Sequence, residues 1–179
     1  MPLGQRFDPR KGIEAILYVA SLVKDPTFHR VSKVLYFADK YHLAHYGALI
    51  CGDDYVAMKH GPVPSGIYDI LKAVRGDGDI GMGEAAAQSF AVEDGKRVRP
   101  RRDPNLEEFS ESDREALDAA IAEYGPLSFN ELTERSHDSA WHAADENDLM
   151  NVEEIARATP NSERLVAYVR DVFPEKKLR

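Results

Sequence analysis

Lys33-Val-Leu-Tyr-Phe-Ala-Asp-Lys-Tyr-His-Leu-Ala-His-Tyr-Gly47, a short polar gap, and then Asp54-Tyr-Val-Ala-Met-Lys-His-Gly-Pro-Val-Pro64 form the stretch from which the fold is read. Val31, Val34, Leu35, Ala38, Tyr41 or His42, and His45 recur at helical spacing, so they predict the inner stripe of a helix. Gly47 stands just past that helix, where a left-handed C-cap would end it. Tyr55 to Lys59 has the composition of a short strand or extended segment. Gly61-Pro62-Val63-Pro64 reads as a rigid turn opening the next helix, because proline fixes φ and removes a donor. No group here is arranged for bond chemistry. The stretch reads as a recognition surface on a compact fold.

Upstream, Asp8-Pro9 reads as an N-cap followed by proline at the first helical position, and Ile13, Ile16, Leu17, Ala20 and Val23 continue the helix. Asp25-Pro26 ends it, and Thr27 is placed to cap the next one. Downstream, Ile67, Ile70, Leu71 and Val74 predict a third helix closed by Gly76. Residues 76–87 read as a glycine-rich flexible connector. Ser89 to Glu93 and Lys96 to Arg99 flank Asp94-Gly95, a pair suited to a type I′ turn, and so predict a β-hairpin. Ser112 with Glu115 predicts a capping box, Gly125-Pro126 a stop, and Ser128 with Glu131 a further helix start. Helices around Trp141, over 152–158 and through Leu165, Val169 and Val172 complete the chain, the last within a stretch (159–179) that ends in a basic tail. The expected fold class is mainly α: a compact multi-helix domain with a small β-hairpin or sheet, a single domain spanning 1–179.

The 179 residues suffice for one ordinary core. No apolar run is long enough to span a bilayer, and Met1 to Arg6 has no signal-peptide core. Cys51, the sole cysteine, cannot form an internal disulfide, which makes the cytoplasm the simplest compartment. The net charge of −8 is unevenly spread: Asp103 to Glu154 holds 16 acidic side chains against Arg114 and Arg135. Such a segment repels polyanions and favours encounter with a basic partner.

Several short motifs are better explained by structure than by chemistry. Gly76-x-Gly-x-x-Gly81 matches a dinucleotide fingerprint, but a helix precedes it and a hairpin follows, where a strand and then a helix are needed. Asp77-x-Asp79 lacks the glycine and the terminal glutamate of a calcium loop. His42 and His45, with Asp39 and Cys51 nearby, fall short of a zinc set, and interior helix histidines are more often hydrogen-bonded core residues. Cys51 with His60 has no orienting third group. His137-Asp138-Ser139 spells a serine triad, but neighbours in sequence cannot relay a proton along a line; Asp138 or Ser139 suits an N-cap for the helix carrying Trp141. Lys96, Arg97, Arg99, Arg101 and Arg102 make a basic hairpin exit. Three helices before such a hairpin also fit a winged helix, although the connection between the second and third helices is too long for a tight helix-turn-helix.

The runs Val34-Leu-Tyr-Phe-Ala-Asp39 and Met58-Lys-His-Gly-Pro-Val-Pro64, with Ile67-Tyr-Asp69 and Ser136-His137 before Trp141, resemble the Panacea-domain antitoxin family, which includes SocA-like and GepA-like proteins. The resemblance covers roughly residues 10–145. It implies a mainly helical module that serves as the antitoxin of a two-gene toxin–antitoxin system and neutralises its toxin by direct contact. For the SocA-like branch it implies a proteolytic adaptor that delivers the toxin to ClpXP. Many members carry tyrosine before Gly-Pro where this chain has His60, so a hydrogen bond assigned to that tyrosine does not transfer.

The resulting expectation is a cytoplasmic bacterial antitoxin without catalytic activity, cofactor or metal. Its partners would be the cognate toxin and ClpX or ClpXP, with neither membrane nor nucleic acid. The expected partner-binding residues are Lys59, His60, Pro62, Trp141, Arg97, Arg99, Arg101 and Arg102. The alternative is a winged-helix-like DNA-binding regulator using the basic hairpin 96–102.

Overall fold

The computed structural model describes residues 5–78 and 81–173. Its elements are α1 (Pro9–Leu22), α2 (Phe28–Tyr46), β1 (Tyr55–Met58), β2 (Gly61–Pro64), α3 (Ser65–Arg75), α4 (Gly83–Ser89), β3 (Phe90–Glu93), β4 (Arg97–Pro100), a 3₁₀ turn (Leu106–Glu108), α5 (Glu111–Tyr124), α6 (Phe129–Ser136), α7 (Ser139–His142), α8 (Val152–Arg157) and α9 (Glu163–Val172). The fold is mainly α with two small antiparallel sheets, as the sequence predicts. Local grammar sets most boundaries. Asp8 accepts from the N–H groups of Arg10 and Lys11, and Thr27 from that of Arg30. Gly47 and Gly76 close α2 and α3 at φ 70° and 102°, a region that costs glycine little.

Helix α2 is the axis of the fold. The sequence suggests one inner stripe, yet Val31 through Asp39 are all buried, while His45 and Tyr46 emerge at the C-terminal end. α1, α3, α5, α6, α8 and β2 all pack against it. A helix enclosed on every side must satisfy its polar side chains from the protein, since water cannot reach them.

The expected Gly61–Pro64 turn is instead a strand. β2 pairs antiparallel with β1, from Met58↔Gly61 to Tyr55↔Pro64, and the turn is Lys59-His60. On its other side β1 bonds residues 147–150: Asn147 N–H donates to the Ala57 carbonyl, Ala57 N–H to Asp148 (2.9 Å) and Met150 N–H to Tyr55 (2.8 Å). Tyr55 and Ala57 thus turn their backbone groups away from β2. Their partners Pro64 and Pro62 sit where β1 requires no donor, the position in which a strand tolerates proline.

The second sheet runs from Phe90↔Pro100 to Glu93↔Arg97, with Asp94 and Gly95 at φ 53° and 66° as Asp-Gly predicts; Lys96, expected to begin the second strand, lies in the turn instead. Pro26 to Phe28 extends it through Val98 N–H to Pro26 O and Phe28 N–H to Lys96 O. Part of the expected connector is helix α4, because Glu84-Ala-Ala-Ala-Gln88 are good helix formers. Ser89 closes that helix and does not begin the strand. Asp79 and Ile80 lie outside the described residues, as does the basic tail 174–179, so the central part of the Gly76–Gly81 motif is not described. The α5 capping box is Ser110 with Asp113, not Ser112 with Glu115. Ser112 meets His42 and Ser110 instead, and Glu115 accepts from Tyr41 and Tyr46.

Carboxylates fasten the acidic half to the first two helices. Asp118 accepts from Tyr18 (2.5 Å), Asp113 pairs with Lys11 (2.6 Å), and Glu115 takes Tyr41 and Tyr46 (2.7 and 2.5 Å). Part of the segment's negative charge is therefore used internally.

Candidate functional site

The hairpin β1–β2 rests on α2 and α6, and polar side chains of α2 hold it there. Lys33 is 1% exposed, and its Nζ donates to the Pro62 carbonyl at 2.9 Å. That carbonyl is one β2 turns away from β1, so the lysine supplies the donor a further strand would have supplied. Gly61 lies at φ 105°, and an added β-carbon would meet Ser136 Oγ at 2.2 Å and Lys33 Cε at 2.8 Å. Only glycine allows so close an approach of strand, helix and lysine.

Asp138 joins α2 to α7. Oδ2 accepts from Tyr36 Oη and Lys40 Nζ, each at 2.7 Å, while Oδ1 caps α7 by accepting from the N–H groups of Ala140 and Trp141. The cap holds Trp141, whose Nε1 donates to the Met58 carbonyl at 2.9 Å and whose ring stacks on His137 at 3.7 Å. A groove of about 250 Å³ opens beside the hairpin tip, lined by Lys59, Trp141 and His142 among others.

Burial dominates the electrostatics. It pushes the Lys33 amine down to about 7 from its ordinary 10.5. It raises Asp39 to about 7, against the hydrogen bonds from Tyr55 (2.6 Å) and Ile50 N–H (2.7 Å). It raises Asp53 to about 6, although this carboxylate accepts from the N–H groups of Gly66 and Ile67 at the start of α3. His29 falls to about 3, first through burial and then through the charge of Lys33.

Lys33 yields a pH prediction. Between pH 7 and 9 the unfolded amine keeps its proton while the folded amine has released it, so raising the pH favours the folded state. Urea denaturation should show a gain of about 2 kcal/mol across that interval, and Lys33→Met should abolish the gain. Equal pH slopes for both proteins would show that the amine is not desolvated.

The groups considered for chemistry have other work. Burial raises the Cys51 thiol well above its ordinary range among Asp39, Lys11, Asp53 and Asp113, whereas His60 lies exposed against Phe129. His42 places Nδ1 on the Ala48 carbonyl (2.7 Å) and Nε2 near Ser112 (3.1 Å) and Asp113 (3.3 Å). Asp39 is occupied by Tyr55 and Ile50. Among the described residues no three His, Cys, Asp or Glu side chains gather to hold a metal.

The eight expected contact residues fall in two places. Lys59, His60, Pro62 and Trp141 gather at the proline hairpin, where Lys59 and His60 are exposed and Trp141 lines the groove. Pro62 is buried with its carbonyl held, so it shapes the hairpin from within. The arginines lie on and after the other hairpin. Arg97 pairs with Asp25 and Asp94, Arg99 with Glu93, and Arg102 with Glu14 at 2.6 Å. Among these four, Arg101 alone has no described ion pair. The hairpin therefore presents far less free positive charge than its sequence suggests. Lys33, Tyr36 and Asp138 build the hairpin's seat and are not among the contact residues expected from the sequence. A lysine inside the otherwise mostly apolar run Val31 to Ala38 is the available signal.

A family model described as antitoxin SocA-like, Panacea domain, matches residues 31–142, more than half of the chain. No curated protein and no solved structure matches. The matched span begins in α2 and ends in α7, so it contains most of the axial helix, the proline hairpin, and the Asp138 and Trp141 contacts that join them. The chain belongs to the SocA-like Panacea-domain antitoxin family.

Proposed function

We propose that this protein is the antitoxin of a bacterial two-gene toxin–antitoxin pair, that it binds its toxin directly in the cytoplasm, and that it hands the toxin to ClpXP as a proteolytic adaptor. Family membership over residues 31–142 carries the reading. The geometry supports it, because the polar groups of α2 are spent on fold-internal bonds and so leave a rigid scaffold with its side-chain chemistry consumed. Lys59, His60 and Trp141 are the proposed contact residues at the hairpin. An adaptor works by raising the substrate's effective concentration at the unfoldase, which requires two surfaces occupied together; a simple mask needs one.

The test combines the purified chain, the product of the neighbouring gene, ClpXP and ATP. An adaptor shortens the toxin's lifetime and itself persists through repeated rounds. An unchanged lifetime with toxin activity blocked leaves masking as the mechanism. Absence of both binding and neutralisation removes the antitoxin reading.

A further inference from the structure

Both faces of the hairpin sheet are apolar, and the outer one is only partly covered. Tyr55, Ala57, Pro62 and Pro64 are buried on the inner face, while Val56, Met58 and Val63 alternate with them and are partly exposed. Val56 pairs with Val63 on one side and bridges Leu149 on the other, so cross-strand neighbours form a continuous row of aliphatic side chains. Leu149 is 47% exposed. None of these four packs against the buried core. An antiparallel sheet with one face on the core ordinarily carries polar residues on the other. A partly exposed aliphatic row that ends in the exposed Leu149 beside a groove marks an interaction surface.

The rim identifies the occupant. Asp145, Glu146 and Asp148 lie on the exposed segment that leads to Leu149, and none of the three enters an ion pair described in the structure. Most carboxylates facing α1 and α2, by contrast, hold a lysine or tyrosine. Among the described residues that line the groove, Lys59 is the one lysine or arginine and sits with Glu146. A second copy of the chain would set acidic rim against acidic rim in a two-fold contact, which is repulsive. A partner with Lys or Arg around an aliphatic centre satisfies both rim and face.

We propose that the outer face of the hairpin sheet, Val56, Met58, Val63 and Leu149, bordered by Asp145, Glu146 and Asp148, is where the cognate toxin docks, through a segment carrying aliphatic side chains flanked by Lys or Arg. This rests on the antitoxin reading and adds the place and chemistry of the contact. Truncation of the aliphatic centre acts on dissociation, and loss of the rim charge acts on association.

The full-length protein and the neighbouring gene's product, measured by biolayer interferometry over a series of salt concentrations, test it. Val56→Ser with Leu149→Ser should weaken binding at least tenfold, mainly through faster dissociation. Asp145→Lys with Glu146→Lys and Asp148→Lys should slow association about tenfold and flatten its salt dependence. Circular dichroism confirms that each variant is folded, and Leu149→Asp alone, on an exposed side chain, replaces the serine pair if that pair unfolds. Binding by the wild type that every variant retains overturns the surface assignment and leaves the antitoxin reading standing. Loss only in the aliphatic variants, without salt dependence, overturns the basic occupant. A wild-type dimer in sedimentation that Leu149→Asp dissociates gives the face to a second copy and overturns the proposal. No binding by the wild type removes the antitoxin reading and this assignment together.

Discussion

Gly61→Ala is expected to cost about 4 kcal/mol of folding free energy, the sum of a left-handed backbone position refused by a β-carbon and an overpacked contact. Both contributions are visible. The residue lies at φ 105°, and the new carbon would approach Ser136 Oγ to 2.2 Å and Lys33 Cε to 2.8 Å. Ser136 cannot yield freely, because its hydroxyl donates to the Thr133 carbonyl at 3.0 Å. Lys33 cannot yield without releasing Pro62. For a chain of this size the loss corresponds to a fall in Tm of roughly 8–16 °C, readable by thermal denaturation. Adding Ser136→Ala to Gly61→Ala should restore part of the loss by removing the nearest atom, while the backbone contribution remains. A fall of less than about 1 kcal/mol in the single variant would mean that the hairpin moves off α2 without penalty.

Asp138→Ala has the second largest expected effect, about 3 kcal/mol, made of a lost helix cap and two stranded donors from α2. Tyr36, Lys40 and two backbone N–H groups share this carboxylate. Asp138→Asn keeps the oxygen that caps α7 but turns the Oδ2 position into an amide donor, which the Tyr36 hydroxyl can accept from, and gives up the charge facing Lys40, so its cost should be about 1 kcal/mol. Trp141 is the chain's only tryptophan and reports on the site directly. Its emission should shift to the red in Asp138→Ala as α7 loosens and the bond to Met58 O is lost. It should remain near the wild-type position in Asp138→Asn. Identical spectra and equal stability in all three proteins would show that Asp138 does not hold α7.

The elements legible in the sequence are those whose determinants lie within four or five residues. Asp8, Thr27, Gly47, Gly76 and the Ser128–Glu131 box act where sequence spacing puts them, because a cap is decided by neighbouring N–H and C=O groups. The misread elements depend on distant partners. Gly61–Pro64 reads as a turn when its prolines are taken alone; as partners of Ala57 and Tyr55, they sit where no donor is required. The i, i+2 spacing of Pro62 and Pro64 was a signal for that strand, since it leaves the alternate residues free to pair. The α5 capping box was displaced by two residues because Ser112 and Glu115 are claimed by His42, Tyr41 and Tyr46 on another helix. For the candidate site, the sequence offers Lys59, His60 and Trp141 by residue type, and the structure places them at one hairpin; the aliphatic row has no such local signal. Leu149 is more than 90 residues from Val56, and nothing local shows that they become neighbours.

The long sequence separations within α2's polar bonds have a consequence for biosynthesis. Tyr36 waits 102 residues for Asp138, and His42 waits 70 for Ser112. At about 5–20 residues per second, the nascent chain carries an unfinished axial helix for several seconds after that helix leaves the ribosome. The seat of the hairpin is completed only after Asp138 has emerged, so a nascent chain halted before that residue lacks the bonds to Tyr36 and Lys40.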